Sequence, residues 1–417
     1  MEKIKLKALK SLKSLEKYTK TDMHYVAKGG FWLGIGQFVA AGSAFLMSIA
    51  FANLLDPAIY GTYKFVLSIN SLILITTLTG MDSAVIQAVS RGYEGTLDTG
   101  VKAKMKWGMI GSLFSLVIAA YYYINGNITL AICFSIISFF APFTESTDMY
   151  NSLLWGKKLF NIQAKYNVIN LLITLAGSTL ALLLTHNIFV VLLVYLLTMT
   201  VPNIFFLYFS KKKYQQNKES DPEALNYGKH LSAINIIGLI LSQLDKVLVF
   251  HYVGAIDLAI YSLAVAPTDQ IKGLLKNLNA LALPKFSERT PSEIKRTIWH
   301  KIGVLALISV FIVGIYIVIA PFLFKYFFPK YIASVPYSQV LALSLVFAIL
   351  SSFLYTILES QKATKELYNF NIINYSLNLI ILFPLVSNFG LWGTVYARLV
   401  NRIIGLAVCG YYIKKIN

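Results

Sequence analysis

Runs of about 20 apolar residues follow one another along almost the whole chain, and this pattern limits the fold more than any other feature. Of the 417 residues, 57% are hydrophobic and only 13% are charged, about half the charged share of a soluble domain. A helix of about 20 residues crosses the hydrocarbon core of a bilayer. We therefore predict an all-α membrane protein with twelve transmembrane helices, at 29–53, 62–80, 106–124, 128–155, 165–185, 188–210, 231–253, 258–284, 302–328, 336–359, 367–387 and 390–413.

The basic residues alternate between the two sides of this predicted membrane. Every second segment, starting with the N-terminus, is rich in Lys and Arg, and these seven segments hold 29 of the 37 basic residues. The other six loops hold only Lys325 and Lys330. Because basic loops stay in the cytoplasm during insertion, we expect a multi-pass protein with both termini cytoplasmic. The net charge of +18 is explained by these loops, so it does not predict a nucleic-acid partner.

Residues 1–28 form a basic N-terminal segment with eight Lys. No apolar core followed by a small-residue cleavage site is present there, so we predict no cleavable signal peptide. Several apolar residues fall near one helical face, namely Ile4, Ala8, Leu9, Leu12 and Leu15. The segment is interpreted either as an amphipathic helix on the anionic inner leaflet or as a solvated tail.

A short motif occurs twice and divides the chain into halves. Residues 56–60 (DPAIY) follow the first predicted span, and residues 257–261 (DLAIY) follow the seventh, 201 positions later. Since six spans separate the motifs, the halves run in the same direction through the membrane and form two parallel six-helix bundles around a central cavity. We predict an N-lobe at 29–210, a polar cytoplasmic linker at 211–229 and a C-lobe at 230–417.

The loops carry no recognisable catalytic or metal-binding pattern. The sequence lacks a P-loop and an H-E-x-x-H motif, and no predicted loop is longer than about 25 residues. Cys133 and Cys409 both lie inside apolar runs, which is typical of buried thiols. We therefore predict a protein that is not an enzyme, with no catalytic residues, no cofactor and no structural metal.

Six basic residues lie inside the predicted spans, where a charge costs at least about 2.5–3.5 kcal/mol. They are Lys64, Lys246, Lys272, Lys276, Arg398 and Arg402. Arg398 and Arg402 are four residues apart, so they share a helical face. This pair predicts a site for an anion such as a pyrophosphate or a sugar acid. A structural pairing with Asp245 or Asp269 is the alternative.

Four carboxylates are candidates for ion coupling or for lining the cavity: Glu145, Asp148, Asp245 and Asp269. Glu145 and Asp148 lie three residues apart in the fourth span, beside Thr144, Ser146 and Thr147. Two neighbouring carboxylates favour uptake of a proton, and their oxygens also suit Na⁺. We therefore consider coupling to a Na⁺ or H⁺ gradient. Pairing with lysines on neighbouring helices is the alternative.

Three segments are similar to those of a known transporter family. Residues 52–61 (ANLLDPAIYG) resemble its turn after the first span, and residues 325–334 (KYFFPKYIAS) resemble its outer segment after the ninth. Residues 389–397 (FGLWGTVYA) resemble its entry to the twelfth span. With twelve spans, the chain resembles the Wzx-like oligosaccharide-lipid flippases, polysaccharide biosynthesis proteins of the multidrug/oligosaccharidyl-lipid/polysaccharide exporter superfamily.

The resemblance implies movement of an undecaprenyl-diphosphate-linked oligosaccharide from the inner to the outer leaflet by alternating access, for O-antigen, capsule or exopolysaccharide synthesis. It also implies contact with membrane lipids and with a polysaccharide polymerase, in the cytoplasmic membrane of a bacterium. Relatives that flip a peptidoglycan precursor carry several arginines in the first two spans, whereas this chain has only Lys64 there. Flipping of a peptidoglycan precursor and cation-coupled multidrug export are the alternative functions. A membrane glycosyltransferase is disfavoured by the short outer loops.

Overall fold

The computed structural model describes residues 23–287 and 291–415, except for the side chains of 23–31, 33, 272–285, 287, 291–292 and 295. Short loops join long helices throughout these residues. The first half contains α1 Met23–Leu54, α2 Pro57–Ile73, α3 Met81–Ser90, α4 Thr96–Ile124, α5 Ile128–Thr147, α6 Tyr150–Gly156, α7 Phe160–Leu184 and α8 Ile188–Tyr214. The second half contains α9 Ala224–Tyr252, α10 Ala255–Ser287, α11 Pro291–Phe327, α12 Ser334–Ser360 and α13 Thr364–Lys415.

The predicted all-α membrane fold is confirmed. Ten helical stretches within the described residues are long and apolar enough to cross a membrane. One of them, α13, has 52 residues and is divided into two arms at Gly390, whose positive φ of 56° suits glycine. The arms fold back on each other, because Ala397 packs against Leu382 and Val386. The predicted eighth span lies in α10, which is long enough to cross.

The second predicted span, 62–80, is wrong at both ends. Its helix, α2, begins at Pro57, because the Asp56 carboxylate accepts a hydrogen bond of 2.9 Å from the backbone N–H of Ala58 and caps the helix. A 3₁₀ turn over Leu74–Thr77 and the left-handed residue Leu78 follow its last turn. The predicted loop 81–105 then contains a further helix, α3.

The fourth predicted span, 128–155, is confirmed as one apolar membrane-crossing stretch over Ile128–Gly156, but it is not helical throughout. It is interrupted after Thr147, where Asp148 and Met149 form a turn, and a short helix, α6, follows from Tyr150. Pro142 also lies inside α5, where its ring displaces one backbone hydrogen bond. The sequence reasoning treated these polar residues as a notch in a continuous helix.

Helix directions alternate, so all Lys-rich loops lie at one end of the bundle, which we name the basic end. At the opposite end the halves are in close contact. The Asn53 side chain at the end of α1 donates to the carbonyl of Phe327 (2.8 Å), and the Lys330 ammonium donates to the carbonyl of Asn53 (2.7 Å). Nearby, Gly61 of α2 lies directly against the Ala255 carbonyl of α10.

The largest buried apolar cluster crosses the division between the halves. It joins Phe51, Tyr60 and Phe65 of the first half to Val249 and Tyr261 of the second. Within it, the rings of Phe65 and Phe250 stack with centroids 3.9 Å apart. The two motif tyrosines, Tyr60 and Tyr261, are both fully buried. The helices that carry these motifs, α2 and α10, pack against each other.

At the basic end, the connection between the halves is bound to the first half. Since α8 ends at Tyr214 and α9 begins at Ala224, only 215–223 of the predicted linker 211–229 is non-helical. The Glu94 carboxylate receives the Lys157 ammonium at 2.6 Å and the backbone N–H of Gln216. Arg91 forms an ion pair with Asp221. The connection is therefore held in a defined position, although the lobe boundaries themselves remain a prediction.

The predicted amphipathic helix or tail at 1–28 lies almost wholly outside the described residues. The structure describes the backbone from Met23 onward, where α1 begins.

Substitution Gly61→Ala is expected to destabilise the protein by about 1–3 kcal/mol, because the added Cβ would lie 1.7 Å from the Ala255 carbonyl oxygen. Gly303→Ala is the matched control, since a Cβ at that helical position meets nothing within 4 Å and alanine favours the helix. Thermal unfolding in detergent measures both. Equal melting temperatures for the two variants would contradict close contact between α2 and α10.

Substitution Glu94→Gln is expected to lower the free energy of unfolding at pH 7 by about 1–2 kcal/mol. Burial raises the pKa of Glu94, but the hydrogen bond and charge of Lys157 and the N–H of Gln216 outweigh it and hold the pKa below the usual value. Its stabilisation is therefore present above the unfolded-state pKa and is lost as the pH falls through the lowered one.

The measurement is the stability of the two proteins between pH 7 and pH 3. The difference between wild type and Glu94→Gln is expected to shrink at the acid end of this range. Glu219→Gln is the control, since this linker side chain is exposed and the ion-pair partner of Lys157 is Glu94. A difference that is independent of pH would contradict the role of the Glu94 charge.

Candidate functional site

A cavity of about 700 Å³ lies within the second half. All of its lining residues belong to α9, α10, α12 and α13. Five charged residues line it: Asp245, Lys246, Asp269, Arg398 and Arg402. The structure therefore brings together five of the ten predicted site residues. Lys64, Glu145 and Asp148 do not line this cavity, and the side chains of Lys272 and Lys276 lie outside the described residues.

Arg398 is bound to carboxylates. Its Nε donates to Asp245 Oδ2 at 2.8 Å, and a second guanidinium nitrogen contacts the same oxygen. The Tyr261 hydroxyl also donates to Asp245 Oδ2, at 2.6 Å. A further guanidinium nitrogen lies 3.8 Å from Asp269 Oδ1. The structural pairing that the sequence left open is thus observed for Arg398.

Arg402 lies one turn further along the same face of α13 and is not paired in this way. Within the part of the chain that the structure describes, its guanidinium makes no hydrogen bond and no ion pair. Its long stem is partly buried, and its head lines the cavity. A guanidinium presents up to five N–H donors. Arg402 is therefore the basic residue of the predicted pair that is available to an anion.

Two further basic residues lie near this cluster. The Lys246 ammonium donates to the Gln243 amide oxygen at 3.1 Å. Lys64, from α2 of the first half, lies over the ring of Tyr60 with its Nζ 5.1 Å from the centroid. Lys64 has no carboxylate partner among the described residues, and it is close enough to Lys246 for their charges to repel. Lys64 therefore places a further positive charge beside Lys246, although it does not itself line the cavity.

A row of asparagine and tyrosine side chains on α13 lines the cavity but was not among the predicted site residues. Asn371, Asn374, Tyr375 and Asn378 line the cavity from the first arm of α13, and Asn401 joins them from the second. Their spacing of three, four and seven residues is that of a single helical face. A search for polar periodicity within apolar spans would have found this row, whereas a search for charges did not.

The predicted carboxylates Glu145 and Asp148 belong to a second polar cluster, in the first half. The Lys104 ammonium lies 2.6 Å from Asp82 and 3.4 Å from Glu145. Lys104 was interpreted as a loop residue, and this is wrong. Its side chain is only 1% exposed, because it lies inside α4 and points between helices. The predicted pairing of Glu145 with a lysine of a neighbouring helix is observed.

Asp148 has no such partner among the described residues. Its Oδ1 accepts hydrogen bonds from the side-chain amides of Asn151 (2.8 Å) and Asn203 (3.4 Å). Asn203 in turn accepts from the amide of Asn170 at 2.9 Å. The described residues contain no group of three or more His, Cys, Asp or Glu side chains able to hold a metal ion. This cluster is therefore dominated by amides around one carboxylate.

A family model describing polysaccharide biosynthesis proteins matches residues 26–290, more than half of the chain. The chain belongs to the polysaccharide biosynthesis protein family. The chain is also similar in sequence to an uncharacterized membrane protein of Methanocaldococcus jannaschii. It is 25% identical to this family member, over 90% of the chain and 82% of the relative.

Solved transporter structures share the fold of this family member. An inward-facing multidrug resistance MATE transporter of the MOP superfamily gives a TM-score of 0.64 at 12% identity, over 90% of this chain and 94% of that one. An outward-facing multidrug resistance MATE transporter gives a TM-score of 0.59 at 14% sequence identity, and the match covers 94% of this chain and 96% of that one. A MOP superfamily transporter from Pyrococcus furiosus, reported with a binding pocket of reverse polarity, gives 0.57 at 14% identity, over 94% and 96%.

These comparisons establish the two helical halves of the fold. Together with the family match, they describe a multi-pass membrane protein of the polysaccharide biosynthesis family that has the fold of the MATE transporters. The substrate does not follow from the comparisons, because the solved structures are far below the identity at which binding residues correspond. The class of substrate is therefore inferred from the residues that line the cavity.

Substitutions Asp245→Asn and Arg398→Gln are each expected to destabilise the protein by about 3–5 kcal/mol, because each leaves a buried charge without its partner. The double variant is expected to be more stable than the sum of the single losses predicts. Thermal unfolding of all four proteins gives the coupling free energy between the two residues. Additive losses would mean that the two side chains do not stabilise each other.

Proposed function

We propose that the protein is a flippase that moves an undecaprenyl-diphosphate-linked oligosaccharide between membrane leaflets for the synthesis of a surface polysaccharide. The observation that carries this proposal is the Arg402 guanidinium, which makes no hydrogen bond or ion pair within the described part of the chain and belongs to the lining of a polar cavity. A substrate with a charged diphosphate and a hydroxylated glycan has the complementary chemistry. The proposal also agrees with the family to which the chain belongs.

The charge of the cavity favours an anionic substrate. Among the side chains that the structure describes, the lining holds three basic residues and two carboxylates. Arg398 forms ion pairs with Asp245 and Asp269, whereas Arg402 and Lys246 form no ion pair within the described part of the chain. Lys64 adds a further positive charge from the first half. The negative charges of a diphosphate would be stabilised at such a site, because Coulomb interactions strengthen away from bulk water.

The uncharged lining favours a sugar. Asparagine amides donate and accept hydrogen bonds at once, as sugar hydroxyls do. The Tyr355 and Tyr375 rings on the same cavity surface offer flat apolar faces, which suit the C–H faces of pyranose rings. The isoprenoid tail of the substrate would remain among lipids, since the cavity lining has too little continuous apolar surface to hold it.

We further propose that the basic end faces the cytoplasm of a bacterial cell and that transport runs from the inner to the outer leaflet. The loops at this end carry most of the lysines of the chain, and such loops are retained in the cytoplasm. Membrane lipids and a polysaccharide polymerase are the partners that this function requires. Chemistry on the sugar would belong to other proteins, so we propose that the chain is not an enzyme.

The cellular test is a deletion strain, assayed for surface polysaccharide and for lipid-linked repeat units on each leaflet. A flippase predicts loss of the polysaccharide with complete repeat units retained on the inner leaflet. Unpolymerised units on the outer leaflet would instead indicate a polymerase. Loss of cell-wall synthesis would indicate a peptidoglycan-precursor flippase, and an unchanged glycan would favour export of small molecules.

Substitution Arg402→Ala is expected to weaken binding of undecaprenyl diphosphate by about 10–100-fold, because a charge-assisted hydrogen bond contributes about 1.5–3 kcal/mol. Binding is measured with the purified protein in nanodiscs. Arg402→Lys is expected to recover part of the affinity, since it restores the charge without the planar fork.

Arg296→Ala is the matched control, because Arg296 is exposed at the basic end and does not line the cavity. Its affinity is expected to equal that of wild type. If Arg402→Ala bound undecaprenyl diphosphate as tightly as wild type does, Arg402 would not be an anion-binding residue. This conclusion would hold whatever the stability of the variant.

A further inference from the structure

A second cavity, of about 410 Å³, lies between the halves at the end opposite the basic end, and we name it the seam cavity. The first half contributes residues of α2, the end of α4, the start of α5 and the loop that joins them. The second half contributes the last turns of α9. The seam cavity shares no lining residue with the cavity around Arg402. The proposed transport function therefore makes no use of it.

The seam cavity is apolar at its deep end and polar at its rim. Phe65 lies eight residues after the first residue of α2, and Val247 lies five residues before the last residue of α9. With a rise of 1.5 Å per residue, these side chains start about 12 Å and about 8 Å from the helix ends. Asn127, His251 and Tyr252 lie at the helix ends themselves. A ligand that matches this gradient has an apolar chain and a polar group that points out of the bundle.

The polar groups of the rim suit an anion. The Asn127 Oδ1 caps α5 by accepting the backbone N–H of Leu130 at 3.0 Å. Its amide N–H groups make no hydrogen bond within the described part of the chain, and the same holds for the His251 imidazole. The N-terminus of α5 begins beside Asn127 and also favours negative charge. Since no carboxylate lines the seam cavity, a phosphate group has the complementary chemistry.

The deep end is formed by contacts between aromatic rings of both halves. Phe65 of α2 and Phe250 of α9 stack with their centroids 3.9 Å apart. On the side of the first half, the Tyr122 ring stacks on Phe134 with centroids 5.7 Å apart. Water would find too few polar partners at this end to be held there. The flat apolar walls suit an alkyl chain instead.

The rim lies at the depth of a membrane–water interface. Several aromatic side chains beside it are exposed, namely Tyr121, Tyr123, Tyr252 and Phe383. The Tyr252 and Phe383 rings contact each other edge to face, with centroids 5.6 Å apart. Exposed aromatic rings near the ends of membrane helices are typical of the headgroup region. The seam cavity therefore meets the bilayer where lipid phosphates are located.

From these observations we infer that the seam cavity binds a phospholipid of the leaflet at this end, with an acyl chain against Phe65 and Val247 and its phosphate at Asn127 and His251. An isoprenoid lipid has related chemistry. Phospholipid is the occupant favoured by mass action, because it is the bulk component of the bilayer and occupancy rises with ligand concentration. This inference goes beyond the proposed function, since it holds whatever molecule is transported.

A lipid in this place contacts both halves at once. Its chain lies against α2 of the first half and α9 of the second. Separation of the halves at this end would divide the cavity and remove one of its walls. The bound lipid therefore stabilises the arrangement in which Phe65 and Phe250 are stacked, because a ligand shifts an equilibrium toward the state that binds it more tightly.

The test is a titration of the purified, delipidated protein in detergent with dioleoylphosphatidylglycerol, followed by melting temperature and by native mass spectrometry. Wild type is expected to gain at least about 3 °C at saturation. Val247→Phe, which fills the deep end, is expected to lose this gain and to retain one lipid fewer. Val117→Phe is the matched control, since Val117 is exposed on α4 and does not line the seam cavity. No lipid-linked sugar is present, so failure of the proposed flippase function would leave the result unchanged.

His251→Ala separates lipid binding from packing, because the His251 side chain is exposed. Without lipid its melting temperature is expected to equal that of wild type. Its half-saturating lipid concentration is expected to rise about tenfold, since a hydrogen bond to a charged phosphate is lost. His230→Ala is the control, because His230 is exposed at the other end of the same helix. Dioleoylglycerol, which lacks the phosphate, is expected to bind wild type correspondingly weakly.

A wild-type protein that does not respond to phosphatidylglycerol would overturn the site, and so would a gain that persists in both Val247→Phe and His251→Ala. Equal affinity for dioleoylglycerol would overturn the phosphate contact at the rim. If undecaprenyl phosphate displaced phosphatidylglycerol at a much lower concentration and lost its own affinity in Val247→Phe, the occupant would be the transported lipid. The phospholipid assignment would then be wrong.

Discussion

Each charge inside this bundle must find a counter-charge or a ligand within the protein, because lipid offers neither. The Asp245 carboxylate shows how this requirement shapes the second half. It is 4% exposed and binds Arg398 of α13 and Tyr261 of α10 at once. Three helices are thereby joined at one oxygen atom. The position of α13 relative to α9, and hence the shape of the cavity, depends on this contact.

The same pairing determines what remains available for binding. Two arginines one turn apart on α13 would repel if neither were neutralised. Asp245 and Asp269 compensate Arg398, so Arg402 can retain an unpaired charge beside it. One arginine thus has a positioning role and the other faces the cavity. Arg398 and Arg402 are equivalent in the sequence pattern, but the fold places them in different environments.

Much of the fold could be predicted from the sequence, because span length and loop charge are local properties. The twelve crossings and the position of Arg398 and Arg402 on one face follow from such patterns. The turn at Asp148 and Met149 could not be predicted, since no glycine or proline marks it in the sequence. Lys104 was wrongly assigned to a loop. Its burial depends on Asp82, which the sequence placed in a loop as well.

The two halves hold opposite excesses of charge. Among the described residues, three carboxylates of the first half gather around the single ammonium group of Lys104, whereas Arg402 of the second half makes no ion pair. The halves meet through α2, α9 and α10. A rearrangement in one half therefore alters packing that both halves share, so the environments of the two clusters are linked through this contact even though the clusters do not touch.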